Sequence, residues 1–345
     1  MTVTERRLER SQRDGKATLR ELVAAPNVDG AAAPTVRSEH AERIEAAAAE
    51  VLSANTRRAY ATAWRAWSAW CAPEDVRPLP AQPVQVAAYL AERAEAGAGI
   101  SALRVAVAAI AYEHASRGVP SPATHPGVRR VLHGLSRRQA SQGRTPQQAA
   151  ALTAEALAAI RATAHRPRTS LGGRTESAEY ARRRGDTDIA IISVMRDALL
   201  RRSEAAALTW GDVECLRDGT GRLTVRRSKA DQAAEGAELF IGRDATTALE
   251  RIRPESPAPE SLVFGGLSGR AIADRIRKAA RAAGLEGDFS GHSPRIGMAR
   301  DLAASGASTT ALMLAGRWRS ERMPALYARG ELAGRGPVAR YYGSS

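Results

Sequence analysis

The segment GHSPRIGMARDLAASG, residues 291–306, places a histidine and an arginine at the start of a helix. Ser293 followed by Pro294 is typical of an N-cap and a first-turn proline. We therefore expect His292 just before the helix and Arg295 in its first turn, beside unpaired amide donors. An imidazole, a guanidinium and helix amides at one place form an anion site, and phosphate is the anion that suits them. H-x-x-R alone is a common pattern, and a surface histidine and arginine near a cap is the alternative.

Three further places carry side chains suited to phosphate chemistry. Arg201 follows a long apolar stretch, where a charge needs a partner, and Glu204 stands three residues on. Lys229 follows a predicted strand, in a turn that could reach across a cleft. Trp318 and Tyr327 lie close together near the C-terminus. Each has an ordinary alternative: a solvent-facing arginine or lysine, a core tryptophan, a half-buried tyrosine.

Taken in order, these residues resemble the tyrosine recombinase (phage integrase) family. LLRRSE is similar to the family's first arginine box, HSPRIGMARDLAASG to its second, and AGRWRSERMPALY to its tryptophan–tyrosine box. The chain departs from the family pattern in three places: Leu199, where glycine is common and where we expect an effect on packing only, a long insert at 166–184 whose role is open, and a C-terminal tail with two further tyrosines. At the position of Trp318 many members carry histidine. The nine-residue step from Trp318 favours Tyr327 as the nucleophile over Tyr341 and Tyr342.

The resemblance implies a metal-free strand transfer through a covalent 3′-phosphotyrosine. Two arginines would stabilise the phosphorane-like transition state, a lysine would protonate the departing 5′-hydroxyl, and a histidine would assist proton movement at the tyrosine. The tryptophan would donate its indole N–H to phosphate, and the glutamate would orient the first arginine. The implied catalytic residues are Arg201, Lys229, His292, Arg295, Trp318 and Tyr327, with Glu204 in support.

The N-terminal half predicts a bundle of four helices. The first, capped by Asn55 or Thr56, carries an aromatic face that ends at Cys71. The second starts near Pro83, and its inner side is predicted to carry Val84, Ala87, Ala88 and Ala91. The other two run from a Ser101 cap to Gly118 and over Val128–Arg138. Basic side chains of this half are candidate DNA phosphate contacts, although a solvated face explains each equally well. They are Arg57, Arg58, Arg65, Arg129, Arg130, Arg137 and Arg138.

The C-terminal half predicts a mixed α+β unit. We expect a helix capped by Thr153, a basic surface loop over Arg166–Arg184, and a buried helix over Asp188–Leu200 capped by Asp186 or Thr187. Two β-strands are expected at 223–227 and 238–241. Helices then follow near 269–283, 294–305 and 308–315, and Pro324 is expected to interrupt a last helical run.

The fold class is mostly α. The resemblance assigns an all-α, SAM-like core-binding domain to 41–140 and an α+β catalytic domain with a small antiparallel sheet to 153–335. We expect a flexible segment at 1–40, a linker at 141–152 and a tail at 336–345. Basic helices of both halves would enclose double-stranded DNA, and the family assembles as a homo-tetramer on paired sites.

Composition narrows the function classes. The chain has 345 residues with Lys+Arg 51 against Asp+Glu 37, a formal net charge of +14 that favours a polyanionic partner. Two cysteines cannot form a disulfide framework, and no apolar run predicts a membrane span or signal sequence, which favours a cytoplasmic, nucleoid-associated protein. No metal-ligand cluster or P-loop is present, so we expect no cofactor and no metal.

Three other functions remain compatible with the sequence. A type IB topoisomerase-like or hairpin-forming nicking–joining enzyme uses a similar residue set. A non-catalytic DNA-binding factor could keep the fold, although phenylalanine at the nucleophile position would suit it better than Tyr327. A basic RNA-binding protein is disfavoured because no aromatic-rich RNA motif is present.

Overall fold

The structure is a computed structural model that describes residues 52–144, 148–170, 172–226, 236–334, 336, 338 and 341–343. The chain forms two compact units that divide between residues 147 and 148, within the expected linker. The flexible segment expected at 1–40 and Lys229 lie outside the described residues. None of the helices in the described ranges is long and apolar enough to span a bilayer.

The first unit is helical, as the sequence predicts. Its helices are α1 (Ala54–Cys71), α2 (Pro83–Glu95), α3 (Ile100–Ser116) and α4 (Pro126–Ser141), with a 3₁₀ turn at Pro122–Thr124 between α3 and α4.

An aromatic cluster forms the centre of this unit. Trp67 is fully buried, stacks on Trp70 at 5.4 Å between ring centroids, and meets the edge of Tyr89 at 5.1 Å. Its indole N–H donates to the Pro78 carbonyl at 3.0 Å, so the buried polar atom has a partner. The aromatic face expected on α1 is confirmed, since Cys71 is also buried.

Two helix starts in this unit differ from expectation. Ser53, rather than Asn55 or Thr56, caps α1, because its hydroxyl accepts from the Thr56 amide at 3.2 Å. Helix α3 begins at Ile100, ahead of the expected Ser101 cap, because the side-chain oxygen of Gln139 accepts from the Ile100 amide at 2.9 Å.

The inner face of α2 was also predicted wrongly. Val84 is 72% exposed, whereas Val86, Tyr89 and Leu90 are buried. The larger apolar side chains remove more surface from water than the alanine face that the sequence suggested, and they set the rotation of the helix.

The second unit joins helices to a small sheet, as predicted. Its elements are α5 (Ala154–Thr163), α6 (Ala178–Asp197), α7 (Arg202–Ala207), β1 (Val213–Cys215), β2 (Gly221–Val225), β3 (Ala237–Ile241), α8 (Arg243–Ile252), α9 (Gly269–Ala282), α10 (Ser293–Ala304), α11 (Thr309–Ala315), α12 (Arg322–Tyr327) and α13 (Arg329–Ala333).

The sheet is antiparallel in the order β1-β2-β3. Leu223 pairs with Val213 on one side and with Leu239 on the other. Strands β2 and β3 confirm the two predicted strands, while β1 was missed because three residues are too short for an alternating pattern. The β2–β3 connection at 227–235, with Lys229, is outside the described residues.

Helix α6 forms the core of this unit and is longer than predicted. Ser177 caps it by accepting from the Tyr180 amide at 3.2 Å, so the expected caps Asp186 and Thr187 lie inside the helix. The expected loop at Arg166–Arg184 therefore ends at 177. The rest of the expected loop is helical, and Arg184 in it points into the protein. Its Nη1 donates to the buried carboxylate of Asp188 at 3.3 Å. An arginine that pairs with a buried aspartate can lie in a core helix. The surface loop was predicted from the positive charge of the segment, which takes no account of such a pair.

Gly297 in α10 lies against the backbone of Leu152, and this contact gives a stability prediction. A Cβ at position 297 would lie 1.8 Å from the Leu152 carbonyl oxygen. This is a backbone atom, so the clash can be relieved only by a shift of the main chain. Gly297→Ala should therefore lower the free energy of unfolding by about 1–3 kcal/mol or more, as measured by denaturant melts. Gly134→Ala in α4 is the matched control: no atom lies within 4 Å of its Cβ, and it should stabilise by about 0.5–1 kcal/mol. Equal effects of the two changes would contradict the contact.

Candidate active site

Arg295 is the centre of the site and is almost fully buried, with 3% of its surface exposed. One terminal nitrogen, Nη1, donates to the carbonyl of Leu199 and the other, Nη2, to the carbonyl of Gly316. The guanidinium carbon lies 4.5 Å from the centroid of the Trp318 ring. Two backbone carbonyls and an aromatic face therefore fix the plane of the guanidinium.

The start of α10 places this arginine, although by a different cap from the one expected. The helix begins at Ser293, and His292 occupies the N-cap position without a side-chain cap bond. The Ser293 hydroxyl instead accepts from the Ser290 amide at 2.8 Å and tightens the preceding turn. Pro294 needs no amide partner in the first turn, and Arg295 follows it inward.

Arg201 and Glu204 face this arginine from the start of α7. Because α6 ends at Asp197, Arg201 is the N-cap residue of α7 rather than the end of the buried helix. The Glu204 carboxylate accepts from the Arg201 amide at 3.0 Å and from its Nη1 at 2.6 Å. Glu204 is buried, so it holds the arginine side chain close to the protein.

The backbone of Leu199 contributes to the site. Its φ of 44° is left-handed, which is uncommon for a residue other than glycine. This turn directs the Leu199 carbonyl to the Arg295 guanidinium. Because the backbone makes this contact, it does not depend on the leucine side chain, which is buried.

Trp318 and Tyr327 form the third side of the site. Their ring centroids are 5.7 Å apart in an edge-on arrangement, and both residues are partly buried. Gly316 permits this, because a Cβ there would lie 2.1 Å from the indole ring. Pro324 was expected to interrupt the last helical run, but it lies in the first turn of α12, where no helical amide bond is lost.

Burial and charge shift the titration of these groups. Burial, together with the positive charges of Arg201 and Arg317, lowers the pKa of Arg295 to about 9. Burial raises the pKa of Tyr327, against the opposing charges of Arg295 and Arg201. Partial burial and the charges of Arg295 and Arg202 lower the pKa of His292, although the residue keeps an exposed edge. A surplus of positive charge around a tyrosine hydroxyl suits an anionic phosphate group.

The structure brings together six of the residues singled out in the second unit and leaves others elsewhere. Arg201, Glu204, His292 and Arg295 interact directly or through their charges, and Trp318 and Tyr327 pack beside them. The alternative nucleophiles Tyr341 and Tyr342 are 83% and 77% exposed. The candidate DNA contacts of the first unit are exposed: Arg57, Arg58, Arg65, Arg129, Arg130, Arg137 and Arg138. In the described part of the chain, no group of three or more His, Cys, Asp or Glu side chains could hold a metal ion.

Residues 176–332, which contain the whole of this site, match the sequence profile of the Phage integrase family. These residues form a Phage integrase family domain. The matched range covers α6 to α13 except the last residue of α13, and it holds both arginine boxes and the tryptophan–tyrosine box.

Curated relatives extend the similarity beyond the matched range. The recombinase is 23% identical over 309 residues to the recombinase cre of Escherichia phage P1, which covers 81% of this chain and 85% of the relative. It is 26% identical over 293 residues to an integrase/recombinase xerD homolog of Selenomonas ruminantium, covering 78% and 80%.

Solved structures share the fold. A lambda integrase dimer bound to a COC′ core site matches with a TM-score of 0.54 and 16% identity, covering 82% of this chain and 92% of that one. The Tn1549 transposon integrase in complex with transposon right end DNA matches with a TM-score of 0.54 and 12% identity, covering 82% and 94%. The mostly helical fold with a small antiparallel sheet is thereby confirmed.

Sequence reasoning missed two contributors to the site. One is the pair of backbone carbonyls, of Leu199 and Gly316, that hold Arg295. The direction of a backbone carbonyl cannot be predicted from a pattern of residue types. The other is Arg317, whose guanidinium donates to Glu204 at 2.7 Å. Its neighbour Trp318 drew attention to this segment, but in a chain with many arginines nothing distinguished position 317.

Proposed function

We propose that this recombinase cleaves and rejoins double-stranded DNA at specific sites, with Tyr327 forming a covalent 3′-phosphotyrosine. One observation carries the proposal: the Trp318 ring lies 4.5 Å from the guanidinium carbon of Arg295 and 5.7 Å from the ring of Tyr327, so all three side chains meet at one place. A phosphodiester bound by the Arg295 guanidinium would stand next to the nucleophile. The enzyme class, a tyrosine-type site-specific recombinase, follows from the family.

The two arginines would stabilise the transition state. Attack by tyrosine on a phosphodiester builds negative charge on the non-bridging oxygens, and fixed guanidinium groups in a buried site stabilise it strongly. Arg295 is held by two carbonyls and Arg201 by Glu204, so neither needs to reorganise during the reaction. Trp318 supports the tyrosine ring and, in this proposal, donates its indole N–H to phosphate.

His292 is the group we assign to accept the tyrosine proton. Tyr327 stays protonated at neutral pH because its pKa is raised, and His292 is neutral there because its pKa is lowered. A neutral imidazole accepts a proton, whereas an imidazolium does not. Lys229 remains the proposed general acid for the departing 5′-hydroxyl.

The pH dependence of cleavage tests the assignment of His292. Because the folded pKa is lowered, the imidazole stays neutral as the pH falls to its ordinary value of about 6.5, and it gains a proton only below that. The single-turnover rate of adduct formation should therefore be flat from pH 8 to 6.5 and fall at lower pH. His292→Asn should be slower and lack this acid limb, and His133→Asn, a change at an exposed histidine of α4, should leave the profile unchanged. A midpoint above pH 6.5 would contradict the assignment.

The DNA partner and the assembly are part of the same proposal. Exposed arginine pairs on α4, at 129–130 and 137–138, would bind phosphates and position the duplex without reading its sequence. The segment 41–140 would act as the core-binding domain and 153–335 as the catalytic domain. We further propose a homo-tetramer on paired DNA sites, acting on nucleoid DNA in the cytoplasm.

A nicked suicide substrate tests the function. The nick lies close to the cleavage position, so that the released end diffuses away, and DNA flanking the gene supplies candidate sites. With a chelator present, the wild-type protein should form a denaturant-resistant adduct, blocked at the DNA 3′ end, and release a free 5′-hydroxyl that a kinase can label. DNA binding without an adduct on a confirmed site would favour the non-catalytic factor.

A second assay separates recombination from nicking and joining. Two differently labelled duplexes that carry the site should yield recombinant strands with the wild-type protein. Adduct formation with rejoining only within one duplex would favour the topoisomerase-like or hairpin-forming alternative.

A further inference from the structure

Arg317 holds an unfavourable backbone conformation beside the active site. Its φ is 53°, in the left-handed region where glycine is the ordinary residue. It lies directly before Trp318 and directly after Gly316, whose carbonyl binds Arg295. An arginine at such a position indicates that its side chain contributes something that offsets the strain.

The side chain of Arg317 turns inward onto Glu204. Its Nη2 donates to Glu204 Oε2 at 2.7 Å and to the Leu199 carbonyl at 3.4 Å, and 13% of the side chain is exposed. Its Nε and Nη1 are buried and have no hydrogen-bond partner among the residues that the structure describes. Glu204 is therefore the anion that holds this guanidinium in place.

Glu204 is thereby shared between two arginines. Oε1 accepts from Arg201 at 2.6 Å, Oε2 accepts from Arg317, and the glutamate side chain is 3% exposed. Glu204 and the three arginines at positions 201, 295 and 317 together carry one negative and three positive charges. Their net charge of two positive units matches in size the two negative charges of the phosphorane that forms when a tyrosinate attacks a phosphodiester.

Without Arg317 the net charge of these groups no longer matches that of the phosphorane. The carboxylate of Glu204 would then cancel the charge of one of the two remaining arginines, and a net charge of one positive unit would remain. In a buried site an unbalanced charge acts strongly, because little water screens it.

We propose that Arg317 is a positioning residue that neutralises Glu204, so that this carboxylate does not cancel the positive charge that Arg201 and Arg295 present to the DNA phosphate. The inference rests on the proposed function and adds a residue to it. Arg317 acts through Glu204 and does not itself touch the phosphate. The effect of removing it must therefore depend on whether position 204 carries a charge.

A double-mutant cycle of R317Q and E204Q tests this dependence. In the otherwise wild-type protein, R317Q should slow adduct formation on the suicide substrate by about 10- to 100-fold. In the E204Q background the same change should cost less than about 3-fold, because no carboxylate is left to neutralise. R317K, which keeps the charge, should recover much of the rate. A purely structural arginine would cost the same in both backgrounds, and that result would overturn the proposal.

Binding of orthovanadate provides a readout that needs no catalysis. Calorimetry on the same four proteins should show that R317Q weakens vanadate binding in the wild-type background and leaves it nearly unchanged in the E204Q background. If the wild-type protein binds vanadate in this pattern but forms no adduct on any DNA, the proposed function fails and the role of Arg317 at an anion site stands. If DNA is cleaved but R317Q weakens vanadate equally in both backgrounds, the role of Arg317 fails alone.

Discussion

Tyr327→Phe should abolish the covalent protein–DNA adduct, lowering its rate of formation by at least about 10⁴-fold. The change removes one oxygen atom, the nucleophile, and keeps the ring that packs edge-on against Trp318 at 5.7 Å. Melting temperature and DNA affinity should therefore stay close to those of the wild-type protein. Adduct on the suicide substrate, quantified on a denaturing gel, is the measurement.

The two exposed tyrosines of the tail provide the control for this prediction. Tyr341→Phe and Tyr342→Phe should form adduct at the wild-type rate, because both rings lie on the surface. An adduct that survives Tyr327→Phe and disappears in a tail variant would move the nucleophile to that residue.

Arg295→Gln should lower the cleavage rate by about 10³-fold, the upper end of what one oriented donor contributes to stabilising an oxyanion. Glutamine has neither the charge nor the fork that the Leu199 and Gly316 carbonyls hold in place. Stability should change little, because burial already disfavours the charged form of this side chain and lowers its pKa to about 9. Single-turnover cleavage and a thermal melt of the same preparation test both parts.

Two companion variants make the effect of Arg295→Gln specific. Arg295→Lys should recover part of the rate, since it restores the charge without the fork. Arg300→Gln changes an arginine of the same helix that pairs on the surface with Glu331 at 2.6 Å, and it should remain within about 2-fold of wild type. If Arg295→Gln cleaves within about 10-fold of the wild-type rate, the assignment of this residue to the phosphate is wrong.

The sequence was sufficient to predict the elements that carry the site, because their signals are local. The proline and cap residues at 293–294 predict a helix start, and that start places Arg295 in the first turn. The pairing of Arg201 with Glu204 follows from their spacing, since residues three apart on a helical turn face each other. The apolar run after 188 is the core of α6, as predicted.

What the sequence could not predict depends on backbone direction and on burial. The left-handed turns at Leu199 and Arg317 are not the residues' intrinsic preference, so tertiary contacts impose them. The burial of Arg184 against Asp188 converted a basic surface segment into the first turns of α6. The prediction of the inner face of α2 was wrong for a related reason. The helix carries both alanines and large apolar residues, and the large residues are the ones buried in the core.

The most direct test of the account is to identify the amino acid that carries the DNA. The adduct is digested with nuclease and then with trypsin, and the nucleotide-bearing peptide is sequenced by mass spectrometry. Tyr327 falls in the tryptic peptide MPALYAR at 323–329, and Tyr341 and Tyr342 fall in YYGSS at 341–345, so the candidates separate cleanly. The account predicts a nucleotide joined through its 3′-phosphate to Tyr327. A nucleotide on 341–345, on a serine, or joined through its 5′-phosphate would contradict it.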